Sequence, residues 1–291
     1  MKKVLIISYY WPPAGGPGSQ RALKFAKYLP QFGWQPVILT VKNGEFAYLD
    51  HSLENEVRPH WEVYYSKTYE PFTFYKKLTG KKPTSVLPVG QLTQKTNHVP
   101  EKIFRWLRTQ LFIPDARAGW IFPGYLKARK IIRKENIQAV FSSSPPHSLQ
   151  LIAYLVNKEF KLPWVADFRD PWTDIQYYKV SHRSLFTRKL DQSLENLVLR
   201  QSDYITTVSR SIAKSLQAKV NPDLQKEKTS IIPNGWDPDD FLEDPKLNTK
   251  KFDIVHTGNL NATQNPLILW KSLQSLLKKV PDMRKNVRIR F

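Results

Sequence analysis

Seven short runs rich in β-branched and aromatic residues punctuate the chain: KVLIIS (3–8), QPVILTV (35–41), EVYYSK (62–67), QAVFSSS (138–144), PWVADF (163–168), YITTVS (204–209) and TSIIP (229–233). Longer stretches with helical apolar spacing separate most of them. That alternation predicts an α/β fold with a parallel sheet, and the near-continuous apolar character of the runs predicts strands covered on both faces. After IIPNGWDPDDFLEDPKLNTKK (231–251) the pattern restarts. FDIVHTGN (252–259) reads as another first strand and turn, and NVRIRF (286–291) as the strand after it. Between them PLILWKSLQSLLKKV (266–280) reads as a helix with Leu269, Leu273, Leu276 and Leu277 on one face. The expected organisation is one complete Rossmann-like N-terminal domain over residues 1–240, a linker over 241–251, and the first βαβ unit of a second, incomplete Rossmann-like domain over 252–291. A whole domain of that kind needs several βα units, so the chain reads as truncated. The competing reading is a single domain whose last βαβ unit joins the main sheet.

Composition narrows the setting. The 291 residues include no cysteine, which excludes disulfides and thiolate metal sites and makes a reducing cytoplasm the default. Lys2 and Lys3 precede only a few apolar residues before Tyr9-Tyr10-Trp11-Pro12-Pro13, a buried strand rather than a signal peptide. No apolar stretch reaches the roughly 18 residues that a membrane span requires. The formal net charge of +20 calls for a polyanionic neighbour: nucleic acid, an anionic bilayer or a phosphorylated substrate.

Charge and aromatic residues interleave most densely over residues 71–108. FTFYKKL and EKIFRWLR have the pattern of short amphipathic helices around a loop. Phe72, Phe74, Lys76, Lys77, Phe104, Arg105 and Trp106 are the candidates for docking on an anionic membrane surface. The plainer reading is a solvated loop. A nucleic-acid partner is the weakest reading, since zinc-finger spacing, an RNP-like strand and a clear helix-turn-helix are all missing from the sequence.

Three turns follow predicted strands and carry the candidate chemistry. SYYWPPAGGPGSQR (8–21) hands the first strand to the first helix, where backbone amides and a helix N-terminus can approach phosphate. It is not a dinucleotide fingerprint: Arg21 stands where a third small residue belongs, and Lys42 lies near the position expected for a ribose-binding acid. Nor does a Gly-Lys-Ser/Thr follow, so it is not a Walker loop. FSSSPPHSLQ (141–150) places His147 at the same carboxyl edge, as a partner for a sugar hydroxyl or phosphate or as a plain helix-start residue. VADFRDPWTD (165–174) brings Asp167, Arg169 and Asp170 there, either to orient sugar hydroxyls or to shape the turn. No Gly-x-Ser-x-Gly elbow supports serine hydrolase chemistry. Ser209 in TTVSRSIAKSL reads as a helix cap.

Taken in order, Trp11 to Arg21, FGWQPVILT, FIPDARAGW, SSSPPHS, VADFRDPWT, VSRSIAKSL, IIPNGWDPDDF and HTGNL resemble the family 4 glycosyltransferases, especially the bacterial polysaccharide and lipopolysaccharide branch. The resemblance implies a GT-B architecture: two Rossmann-like halves, the acceptor held mainly by the first and a nucleotide-sugar by the second, with transfer in the cleft and retention at the anomeric carbon. Gly15, Gly16, Gly18 and Arg21 match the loop facing the donor diphosphate, Asn234 the segment entering the interdomain hinge, and Gly258 with Asn259 the first loop of the donor half, so the resemblance makes all seven the candidates for binding the donor phosphates. His147 falls in the loop that often supplies a histidine near the transferred sugar and is the catalytic candidate, and Asp167, Arg169 and Asp170 become the acceptor-side candidates. The implied partners are a nucleotide-sugar donor and a lipid-linked or glycan acceptor. The implied place is the cytoplasmic face of the cell membrane, held peripherally. No cofactor or metal is expected, because this architecture holds diphosphate with side chains and helix dipoles.

The sequence departs from the family in its donor half. The family carries an Arg/Lys clamp on the diphosphate and a pair of glutamates seven residues apart, and here no glutamate follows Glu243. The chain alone is therefore expected to be inactive or nearly so. The alternative is a non-catalytic carbohydrate- or membrane-binding remnant of such an enzyme.

Overall fold

The structure is a computed structural model that describes residues 1–70, 110, 112–175, 183–220, 227–241, 251–258 and 265–290. The expected membrane-docking residues Phe72, Phe74, Lys76, Lys77, Phe104, Arg105 and Trp106 lie outside the described residues, as does Asn259. The chain divides into two units, Met1–Gly235 and Trp236–Phe291.

In the first unit the apolar runs become strands: β1 (Lys2–Ile7), β2 (Trp34–Val41), β3 (Glu62–Ser66), β4 (Ala139–Ser144), β5 (Trp164–Phe168), β6 (Tyr204–Thr207) and β7 (Thr229–Ile231). They form one sheet in the order β3-β2-β1-β4-β5-β6-β7, and every pairing is parallel. The strand order reverses between β1 and β4, where Ile7 lies opposite Ser142. At such a reversal the connections leave in opposite directions and open a crevice at the carboxyl edge.

The period of two along each strand divides the core. Val4, Ile6 and Ile38 face one layer with Ala22, Leu23 and Ala26 of α1 (Pro17–Tyr28). Leu5, Ile7, Val37 and Leu39 face the other, which receives Ile131 and Ile132 of α2 (Ile121–Glu135) and Leu149, Ile152 and Ala153 of α3 (Ser148–Phe160). The same layer takes Val198 and Leu199 of α4 (Leu185–Gln201) and Leu216 of α5 (Arg210–Ala218). Each fully buried Leu or Ile contributes about 1.5–3 kcal/mol, so this two-sided burial dominates the unit's stability. Local signals set the helix ends. Ser184 and Ser209 accept hydrogen bonds from the amides of Thr187 and Ile212, which makes Ser209 the cap its position suggests. Asn136 and Lys161 close α2 and α3 in the left-handed region, at φ 53° and 54°.

The second unit carries β8 (Phe252–Val255), α6 (Leu267–Lys279), α7 (Met283–Asn286) and β9 (Val287–Arg290). Its two strands pair in parallel in a sheet of their own, so the last βαβ unit does not extend the main sheet. Asp253 ties them by accepting from Nε and Nη2 of Arg288 at 2.7 and 2.9 Å. Among the described residues no helix is long and apolar enough to cross a membrane.

Candidate functional site

The carboxyl ends of β1, β4, β5 and β6 bring the three candidate turns to one edge of the first unit. Gly16 precedes α1 at φ +98°, a backbone that suits glycine. A Cβ on Gly15 would lie 2.2 Å from the Tyr48 ring, and one on Gly18 would lie 2.4 Å from Nη1 of Arg169. At both positions a side chain takes the place a Cβ would fill: Tyr48 packs over the turn and the Arg169 guanidinium occupies the space beside the start of α1.

Arg21 and Asp167 pair with each other. Nε of Arg21 donates to Oδ2 of Asp167 at 2.9 Å and Nη2 donates to Oδ1 at 2.7 Å. Asp167 is fully buried and also accepts from Oγ of Ser143 and Oγ1 of Thr206, both at 2.7 Å. Each carboxylate oxygen therefore has two donors. A carboxylate so saturated has no capacity left to orient an acceptor hydroxyl; it compensates and aims a buried guanidinium. Nη1 of Arg21 donates to the carbonyl of Pro233 at 3.3 Å and to Oδ1 of Asn234 at 3.2 Å. Arg21 is only 7% exposed and forms a buried tie between α1, β5 and the segment after β7. Asn234 is engaged in the same tie.

Arg169 is the cation at the turn. Its Nε and Nη2 donate to the carbonyls of Ser144 and Pro145 at 3.1 and 2.7 Å, and among the described residues it forms no ion pair. Burial lowers its pKa, against the favourable charges of Asp167 and Asp170. Asp170 follows it at partial exposure. His147 is 4% exposed, with its ring stacked on Trp172 at 5.0 Å between centroids and 10° between planes, and on Phe168 at 6.2 Å. Neither ring nitrogen has a partner among the described residues. Burial first, then the charges of Arg169 and Lys219, push its pKa down to about 3. The imidazole is neutral near neutral pH, able to exchange hydrogen bonds with a ligand hydroxyl but holding no transferable positive charge.

The serines before His147 are structural. Oγ of Ser142 bridges Gln150 and the indole of Trp164 at 2.6 and 2.7 Å, and Nε2 of Gln150 donates to Oγ of Ser144 at 3.0 Å. Asp115, from FIPDARAGW, caps α3 by accepting from the amide and hydroxyl of Ser148 at 2.9 and 3.0 Å. Gly258, in the second unit, has φ +135° and open space where a side chain would stand.

Several supporting residues escape sequence reasoning. Lys219 reaches Glu195 at 2.8 Å, Asp174 at 2.9 Å and Thr173 at 3.0 Å, while Trp172 donates to Asp191 at 2.7 Å. Thus α4 and the end of α5 clamp the turn that carries Arg169 and Asp170. Burial raises the Asp191 carboxyl to about 6. Beside β1, Tyr9 donates to Glu70, which Arg117 also binds, and the Arg117 guanidinium lies 5.2 Å from the Tyr9 ring centroid. Burial raises Glu70 to about 7. At helical or loop positions such charges carry no sequence signal that separates them from solvated ones.

Residues 88–240 match the family model described as Glycosyltransferase Family 4, more than half of the chain. Sucrose-phosphate synthase from Thermosynechococcus elongatus is similar in structure, with a TM-score of 0.55 at 12% identity, over 99% of this chain and 70% of that one. MurG from Acinetobacter baumannii gives a TM-score of 0.45 at 11% identity, over 100% of this chain and 66% of that one. At 12% identity the likeness to sucrose-phosphate synthase is one of fold. No curated protein matches.

Proposed function

Because the chain belongs to glycosyltransferase family 4, we propose that it serves a retaining transfer of sugar from a nucleotide-sugar to a lipid-linked or polysaccharide acceptor in cell-surface glycan synthesis. The observation that carries this reading is the convergence, at the strand-order reversal, of a glycine-rich helix start with a guanidinium and a neutral imidazole that, among the described residues, have no ion-pair partner and no hydrogen-bond partner respectively. A diphosphate needs the first two, and a sugar hydroxyl suits the third. Asp170 is the remaining acid for acceptor hydroxyls, since Asp167 is committed to Arg21. Gly258 and Asn259 are assigned to the donor. The net charge of +20 favours work at an anionic membrane surface on the cytoplasmic side, with residues 71–108 as the docking segment.

Binding is the property to test in this chain. In thermal denaturation against a panel of nucleotide-sugars, one nucleoside class is expected to raise the melting temperature by mass action. Stabilisation by NAD or RNA, with none by any nucleotide-sugar, would overturn the reading.

A further inference from the structure

We propose that Arg169, and not Arg21, is the side chain that receives a phosphate group over the glycine-rich turn at the start of α1. This rests on the transferase reading and specifies which cation in the first unit meets the anion.

The helix start is prepared for negative charge. α1 has twelve residues, no acidic residue in its first turn and no side-chain cap. Pro17 has no N–H and the amides of Ser19 and Gln20 donate to the Gly16 carbonyl, so the Gly18 amide and the positive end of the dipole are what the helix start offers. Of the two arginines near it, Arg21 has its charge matched by the saturated carboxylate of Asp167. Arg169 spends Nε and Nη2 on two main-chain carbonyls that fix its direction, and Nη1 lies against Gly18. Neutral carbonyls orient a guanidinium without cancelling its charge. Asp170 is near enough to favour that charge but does not pair with it.

Two more polar groups nearby lack partners among the described residues. One is Oγ of Ser19, fully buried in the first turn of α1. The other is the His147 ring, more than nine-tenths buried and close enough to Arg169 for the guanidinium to oppose its protonation. A helix start, a directed cation and unspent hydrogen-bonding groups together describe a site for a phosphate or diphosphate.

The test is calorimetric titration of the 291-residue chain with inorganic pyrophosphate, for wild type, Arg169→Gln and Gly18→Ala, with melting temperatures recorded for each. Arg169→Gln is expected to weaken binding about tenfold or more through loss of a charge-assisted contact. Gly18→Ala, which leaves the arginine in place but puts a methyl where Nη1 lies, is expected to weaken it as well. If Arg169→Gln does not fold, the glycine variant carries the test. Pyrophosphate binding equal to wild type in both folded variants, or none by folded wild type, would overturn the assignment. Competition identifies the source of the phosphate: displacement by UDP or GDP assigns the site to the donor, and displacement by farnesyl phosphate to a lipid-linked acceptor. If an Arg169-dependent pyrophosphate site yields to none of these, the arginine assignment stands and the transferase reading falls. If a nucleotide-sugar stabilises wild type and Arg169→Gln alike, the reverse holds.

Discussion

His147 is held neutral against Trp172 and Phe168, and that has a cost that depends on pH. Its ordinary pKa of 6.5 falls to about 3 in the fold. Below pH 6.5 the unfolded chain takes up a proton that the folded chain refuses, so stability falls as the pH drops from 6.5 toward 3, by about 1.4 kcal/mol per unit once well below 6.5. Glu70 works in the opposite sense, since a carboxyl raised to about 7 supports the fold at low pH and loses that support as the pH rises from 4.5 through 7. A paired comparison separates them. His147→Gln should gain on wild type as the pH is lowered from 7 to 4.5, measured as urea midpoints; a gap independent of pH would show that the imidazole titrates normally. The two arginines give the lesson of this scale. Both stand in motif-like stretches, and Arg21 looks the better phosphate ligand in the sequence because it follows the glycines directly. Only the fold reveals that the strand leading into Arg169 also brings Asp167 against Arg21.

The inner strands β1, β2, β4 and β5 were legible because strands buried on both faces must be written as apolar runs. The edge strands β3 and β7 showed only through their β-branched and aromatic residues, and they are partly exposed where the sequence predicts cover on both faces. The Ser209 cap was legible from its place before a helical run. The clamp on the 169–175 turn was not legible. Lys219 and Glu195 occupy helix-end and helix positions where charges are ordinarily solvated, and only packing of α4 and α5 against the turn makes them partners. The Glu195 side chain is fully buried, so removing its cation leaves an uncompensated charge. Lys219→Met is expected to destabilise the first unit by about 3–5 kcal/mol in urea unfolding. Glu195→Gln, which removes the charge and keeps the shape, should cost less. Equal and small losses would mean that the turn is held by Trp172 alone.

At the scale of the whole molecule the charge of +20 is the property left unexplained by the fold. Each basic residue near an anionic surface adds about 1 kcal/mol, and salt screens the attraction within about 10 Å at 0.1 M. Co-sedimentation with liposomes should rise with anionic lipid content and collapse at high salt. Retention indifferent to both would remove the membrane from the account, and salt-sensitive retention on RNA but not vesicles would replace it. The central claim is that one edge of the first unit, where β1 and β4 part, is the ligand site. Hydrogen exchange with and without the stabilising nucleotide-sugar tests it directly. The account predicts slowed exchange in peptides covering residues 13–21, 144–150 and 167–172. Binding that leaves all three unchanged while protecting other parts of the first unit would contradict it.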